Sequence, residues 1–421
     1  MKRLFAGGML AGWMGRAWIA ISQLIAIRLW TQEIGLQGYA AIVVLLAMQG
    51  WLMLLDLGMG PILQNRVAKA TATNAEAVSD IHAAVHILCV SAVIGGLLWC
   101  IIAVPLSRVL PHEWTEQVAP HWPWTSMAVA GILWSWLPTG QLIYRIWFGE
   151  GRGWLSFALP AVAQGMGCLA IWMLPSSQDG SQVLLHAIAW ILPQILLPLA
   201  FLIHRYARIT RIDHSLPYRE IFRESKGFAL FALLGTAIIY VDVLVLAAII
   251  PAAELVEYNI IQRVFQAAMS LVAAAISSVQ PSITANLAIK NTHSIYTNVR
   301  HCLVIGCGIM GLAICAMLVA RNYIAHLLVP NADMTPRWTL IGLLGLYWFF
   351  RIWTDTWAGV LTAASHSRPL LFGVLVQGPC TWLLLAIGIR FYGVHGAALA
   401  LTGGFALTVA WWLPMAAMKR I

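Results

Sequence analysis

Apolar residues along this chain come in long runs broken by short polar turns. A run of about 20 mainly apolar residues is long enough to cross the hydrocarbon of a bilayer as a helix. Twelve such runs are expected, at roughly 9–30, 39–65, 83–105, 124–147, 154–174, 183–203, 227–250, 255–284, 299–320, 337–363, 369–389 and 395–416. The longest polar stretch, HRYARITRIDHSLPYREIFRESKG over 204–226, divides the runs into two groups of six. The expected organisation is a six-helix lobe over 1–204, a linker over 205–226 and a second six-helix lobe over 227–421.

Orientation follows from the basic residues in the turns, because short cytoplasmic loops are rich in Lys and Arg. One side holds Lys2, Arg3, Arg66, Lys69, Arg152, Arg205, Arg208, Arg211, Arg219, Arg223, Lys226, Lys290, Arg300, Arg368, Lys419 and Arg420. The other holds Arg108, Arg321, Arg337 and Arg390. The expected fold is therefore an all-α polytopic membrane protein with both termini cytoplasmic. Two short similarities, TQEIGLQGYAAI with IPAAELVEYNII and WTSMAVAGILWSW with WTLIGLLGLYWFF, align Tyr39 with Tyr258 and Trp124 with Trp338 at nearly one offset. They point to repeated halves with a substrate path between them; six spans per half make the repeats parallel, about an axis along the membrane normal.

Composition agrees: 61% of the 421 residues are apolar and 10% charged, against about 45–50% and about 25% in soluble domains. The net charge of +9 would suggest a nucleic-acid partner in a soluble chain, but the positive-inside bias accounts for most of it. The seven cysteines all lie in apolar runs without metal-ligand spacing and read as small buried hydrophobes. Arg16 interrupts the first run and no A-x-A-like site follows, so a cleaved signal peptide is not expected. His82 and His86 stand four apart, with no third ligand near in sequence, and no G-x-x-x-x-G-K-[ST] phosphate loop is present.

The chemistry lies in ionisable residues at membrane depth, each costing about 2.5–3.5 kcal/mol on insertion scales. These are Arg16, Arg28, Asp56, Arg145, Asp242, Arg263, Arg351 and Asp355. Arg28 and Arg145 lie near span ends, where a long side chain reaches the interface. Asp242 and Arg263 fall at one depth, roughly 15 Å below the turn near 253, and are expected to face each other across the hairpin. Arg351 and Asp355, four apart, share a helix face. Arg16 and Asp56 fall at similar depth in the first hairpin. Structural ion pairing is one reading of these residues. The other is a wet path in which Arg16, Arg28, Arg145, Arg263 and Arg351 bind a phosphate-bearing substrate, while Asp56, Asp242 and Asp355 pair charge or couple transport to an ion. Trp114, Trp122, Trp124, Trp154 and Trp338 fit an interfacial belt; Trp134, Trp136, Trp348, Trp353 and Trp357 lie deeper, as packing or as sugar-stacking surfaces.

Three stretches carry a resemblance: LLDLGMGPILQNRVAKA at the end of span two, YVDVLVLAAIIPAAELVEYNIIQRV across spans seven and eight, and QPSITANLAI at the inner end of span eight. They resemble the Wzx-type O-antigen flippases, in the polysaccharide transporter branch of the MOP exporter superfamily. The resemblance covers the whole chain in topology and length, and at residue level carries over Asp56, Gly58 and Asp242. It implies a MATE-like fold of two six-helix lobes in a V shape. It also implies ion-driven alternating access, and undecaprenyl-diphosphate-linked oligosaccharide as the substrate moved from inner to outer leaflet. No cofactor is implied beyond a proton or sodium gradient; the partners are that lipid-linked substrate, membrane lipids and polysaccharide polymerase machinery, with no nucleic acid. The alternatives are a multidrug or cation antiporter of the same superfamily, and a membrane polysaccharide polymerase or ligase. The outer loops near 106–123 and 321–336 are too short to build a sugar-processing site, which disfavours the enzyme.

Overall fold

The computed structural model describes the whole chain except residues 1, 73–76, 110–123, 176–179, 208–216, 240, 290, 331–333, 365 and 420–421. The described residues are almost entirely helical: α1 Lys2–Glu33, α2 Gly35–Leu52, α3 Met59–Ala72, α4 Val78–Val109, α5 Trp124–Trp134, α6 Leu137–Gly149, α7 Gly153–Trp172, α8 Gly180–Ala207, α9 Tyr218–Ile239, α10 Val241–Ile249, α11 Ala252–Ala288, α12 Thr292–Leu328, α13 Trp338–Ala363, α14 Ser367–Leu407 and α15 Val409–Met418. Among them, seven stretches are long and apolar enough to cross a membrane. The chain is a polytopic membrane protein, and among the described residues helix makes up the greater part of every run the sequence marked. Helix is the outcome physics demands, since hydrocarbon offers no partner to an exposed backbone group.

Several runs that read as continuous are interrupted. Between α2 and α3 the chain tightens into a 3₁₀ turn, Met53–Asp56, then passes through Leu57 and Gly58 at positive φ. The groups this break frees are recaptured: Ser91 Oγ donates to Leu55 O at 2.9 Å, and Asp56 Oδ2 accepts from Gly60 N at 3.3 Å. The second act caps α3. Between α5 and α6 the helix breaks at residues 135–136, just before Pro138, and Thr139 Oγ1 donates to Leu88 O at 3.2 Å. At Gly393, φ 52°, α14 reverses between the expected runs 369–389 and 395–416, a turn the sequence also places there. Glycines on either side let its two arms meet: a Cβ at Gly388 would lie 2.6 Å from Gly396 O, so only glycine fits there.

The chain forms two compact units, Met1–Thr236 and Ala237–Ile421. The boundary lies beyond the polar stretch expected to serve as linker. Residues 208–216 of that stretch are outside the described residues; its first residues close α8 and its last open α9, whose Ile221 joins the core of the first unit with Met59, Leu63, Leu88, Ile143 and Trp147. Two further contacts dock α9 there. A Cβ at Gly58 would lie 2.6 Å from Ala229 N and 2.7 Å from Ser225 O, so α9 approaches to backbone distance. Arg66 on α3 also bridges Asp80 of α4 at 2.7 Å and Glu224 of α9 at 2.9 Å. The core of the second unit is built on α11 and α13, with Val256, Ile260, Ile261, Phe265, Leu340, Leu344 and Ile352 fully enclosed.

The cysteines divide. Cys302 is buried, but Cys307 and Cys315 are exposed on α12, contrary to the reading of all seven as buried. An apolar thiol tolerates a lipid-facing position as readily as a core one, so hydropathy does not separate the two. Of the belt tryptophans, Trp154 and Trp338 are exposed, whereas Trp114, Trp122 and the side chain of Trp124 lie outside the described residues.

Candidate functional site

In the second unit a chain of polar side chains crosses from α10 through α11 to α13. Asp242, 4% exposed, stands in the first turn of α10. Tyr258 of α11, fully buried, donates its phenolic O–H to Asp242 Oδ2. Gln262, one turn along α11, donates from Nε2 to Tyr258 Oη at 2.9 Å. Gln262 Oε1 accepts from Trp348 Nε1 of α13 at 2.8 Å. The Trp348 ring lies 5.4 Å below the Arg351 guanidinium. Arg351 donates from Nη1 to Tyr347 Oη at 3.0 Å, and its Nε lies 3.5 Å from Asp355 Oδ2. Residues 347, 351 and 355 are each one helical turn apart, so one face of α13 carries all three. Arg351 also lies near enough to Asp242 to act on it electrostatically.

This arrangement changes the expected pairings. Asp242 meets Tyr258 and the field of Arg351, whereas Arg263, its expected partner, donates to Gln266 Oε1 at 3.4 Å. Equal depth in a hairpin does not make two residues neighbours, because successive helix positions rotate by about 100°. The expected Arg351–Asp355 pair is present. Asp355 thus stands beside the guanidinium and Asp242 within its field, so Arg351 is not a bare cation awaiting an anion. Taken with both Asp side chains ionised, the cluster is short of one positive charge.

The first unit holds the other four. Asp56 lies beside Gly60 and within the field of Arg145, and Arg145 Nη1 donates to Gln64 Oε1 at 3.4 Å. Arg16, expected at a depth similar to that of Asp56, places its guanidinium 5.3 Å over the Phe157 ring of α7. Arg28 is exposed on α1. His82 and His86 take separate partners, Val78 O at 3.0 Å and Tyr218 Oη at 2.9 Å.

From the sequence, Tyr258 stands out as a repeat marker and within the stretch that carries the resemblance, whereas Gln262, Tyr347 and Glu257 are not singled out as site residues. The i,i+4 spacings 258/262 and 347/351 were visible signals. Glu257, 6% exposed, accepts from the Arg337 backbone N and Nη2, both at 2.7 Å. It thereby fastens the start of α13 to α11 beside Tyr258. Its hydrogen bonds raise the pKa of Arg337 above the ordinary guanidinium value.

No family model matches the chain. Full-length relatives do. It is similar to a Yersinia pseudotuberculosis protein named as an O-antigen export protein, 26% identical over 425 residues, covering 96% of this chain and 93% of the relative. It is also similar to a Salmonella typhi protein named as an O-antigen transporter, 24% identical, covering 97% and 95%. Among solved structures it resembles an inward-facing multidrug resistance MATE family transporter of the MOP superfamily. That match has a TM-score of 0.73 and 14% identity, over 97% of this chain and 98% of that one. A MOP superfamily transporter from Pyrococcus furiosus, described as having a binding pocket of reverse polarity, matches at TM-score 0.69 and 14% identity, over 98% and 96%. The fold is that of the MATE transporters of the MOP superfamily.

Proposed function

We propose that this chain is a flippase of the bacterial inner membrane. It carries undecaprenyl-diphosphate-linked O-antigen units from the inner to the outer leaflet by ion-coupled alternating access, with both of its termini in the cytoplasm. The observation that carries this reading is full-length similarity to proteins named for O-antigen export, on a chain with the MATE transporter fold. The physical need is plain: a diphosphate with its sugars cannot cross about 30 Å of hydrocarbon unaided. Nothing in this task requires a bond to be made or broken, and the chain acts as a transporter rather than an enzyme.

The polar cluster of the second unit supplies a coupling device. Asp242 and Asp355 share Arg351, so a proton or sodium ion arriving there restores neutrality, and its departure exposes an uncompensated carboxylate. Arg16, Arg28, Arg145 and Arg263 are the residues proposed to meet the substrate's phosphates, Arg guanidinium being suited to paired phosphate oxygens.

Deleting the gene tests the reading. The expected result is loss of surface O-antigen, with lipid-linked oligosaccharide trapped on the cytoplasmic leaflet and restored by the wild-type gene. Export of unpolymerised units from the deletion strain would instead indicate a polymerase. The MATE likeness gives the antiporter reading its own support; growth in toxic cations that depends on the gene, with O-antigen unaffected, would favour it.

A further inference from the structure

Within the first unit, α1 and α7 pack closely at several points. A Cβ at Gly15 would lie 2.9 Å from Phe157 O, and one at Gly165 would lie 3.3 Å from the Trp18 indole nitrogen. Cys168 Sγ donates to Ser22 O at 3.2 Å. Along this seam an open groove of about 310 Å³ is lined by Trp18, Ser22 and Ile25 of α1 and by Gly165, Cys168 and Trp172 of α7, and it continues to Leu29. Its walls are almost wholly apolar. From Trp18 to Leu29 it runs about 16 Å at the rise of a helix, close to half the hydrocarbon thickness.

The groove ends at a charge. Met14, Trp18, Ile21 and Ile25 form an exposed apolar stripe on α1, and an exposed apolar stripe at membrane depth faces acyl chains rather than water. Arg28 is exposed three residues beyond Ile25, so it continues that stripe at the rim of the groove. An apolar slot one leaflet long, headed by a guanidinium near the interface, matches a lipid with a phosphate headgroup and a hydrocarbon tail.

We propose that the α1/α7 groove holds the polyprenyl tail of the carrier lipid while Arg28 engages its diphosphate. This rests on the flippase reading above and gives it a lipid-side site in the outer half of the membrane, where the translocated carrier lies. The groove, on this account, keeps the tail in contact with the protein as the headgroup leaves, so that one lipid is released in a fixed orientation.

The experiment uses the full chain in phosphatidylethanolamine vesicles with a benzophenone-bearing polyprenyl diphosphate as probe. Crosslinked peptides are identified by mass spectrometry. The expected result is labelling on α1 residues 18–29 and α7 residues 165–172 that persists in excess phosphatidylglycerol. Labelling falls at least fivefold in Arg28→Ala, is largely retained in Arg28→Lys, and also falls in Gly165→Leu, which narrows the slot. Arg28 is exposed, so Arg28→Ala should melt with the wild type and report on binding alone. Labelling elsewhere, labelling unchanged in Arg28→Ala, or displacement by phosphatidylglycerol would overturn the proposal. Its failure is separable from failure of the flippase reading: a deletion strain that still exports O-antigen sinks the latter, whatever the probe labels.

Discussion

Tyr258 gives its only hydroxyl hydrogen to a carboxylate that is itself almost fully enclosed. Leaving a buried acceptor unsatisfied costs about 1–3 kcal/mol, more if it is charged. Tyr258→Phe is therefore expected to lower the melting temperature of the purified protein while keeping its helical content, by more than a tyrosine substitution at exposed Tyr323. Equal melting of the two variants would remove the network's structural weight. Arg351 serves three neighbours at once: the Tyr347 hydroxyl, the Asp355 carboxylate and the Trp348 face. Lysine supplies the charge but not the planar fork. Arg351→Ala should reduce O-antigen export at least tenfold and Arg351→Lys by less, read from surface polysaccharide at matched protein level. The same order is expected at Arg263, and equal activity of the Ala and Lys variants at both sites would show that export needs no charge there.

Among the helices, the break at 53–58 is the most consequential. The sequence LLDLGMGP keeps its hydropathy through the break, so the run reads as one span. What divides it is the positive φ at Leu57 and Gly58, and the close passage of α9 over Gly58. Gly35 has nearly the same φ, 72° against 69°, yet a Cβ there meets nothing within 4 Å. Both Gly→Ala variants incur the backbone penalty of a left-handed residue, of order 1 kcal/mol. Only Gly58→Ala adds a collision with Ser225 and Ala229. It should lower the melting temperature clearly more than Gly35→Ala does; similar shifts would show that α9 is not held by this approach. Arg66 belongs to the same junction. The sequence counted it toward membrane orientation, and the fold also makes it the bridge from α3 to α4 and α9.

Across the whole molecule the repeat is unequal. At the offset that aligns Tyr39 with Tyr258, Gln262 answers to Val43 and Asp242 to Gln23; at the offset that aligns Trp124 with Trp338, Arg351 answers to Leu137 and Asp355 to Gln141. The shared features are apolar: Tyr39 and Tyr258 are both buried, as are Trp134 and its counterpart Trp348. Packing positions are thus common to both halves, whereas the Asp242–Arg351–Asp355 chemistry belongs to the second. If that chemistry couples transport to an ion, collapsing the ion gradient should stop export by the wild type. Asp242→Ala and Asp355→Ala should each cut gradient-driven transport in vesicles at least tenfold. Full gradient-driven transport by both variants would assign these carboxylates to packing alone.

Run length and hydropathy alone establish that this chain is helical, that lipid surrounds it and that its charges at depth are few. Each of those properties is local: an apolar run of sufficient length has no other stable solvent, and a charge within it is visible wherever it points. Asp242, Arg351 and Asp355 were legible as unusual for that reason. Their partners were not. Whether Asp242 meets Arg263 or Tyr258, whether Gln262 reaches Trp348, and whether α9 joins the unit before it depend on the rotation of each helix about its axis. They depend too on where the backbone breaks. Those angles are set by the packing of residues far apart in the chain, so only the tertiary structure could decide them.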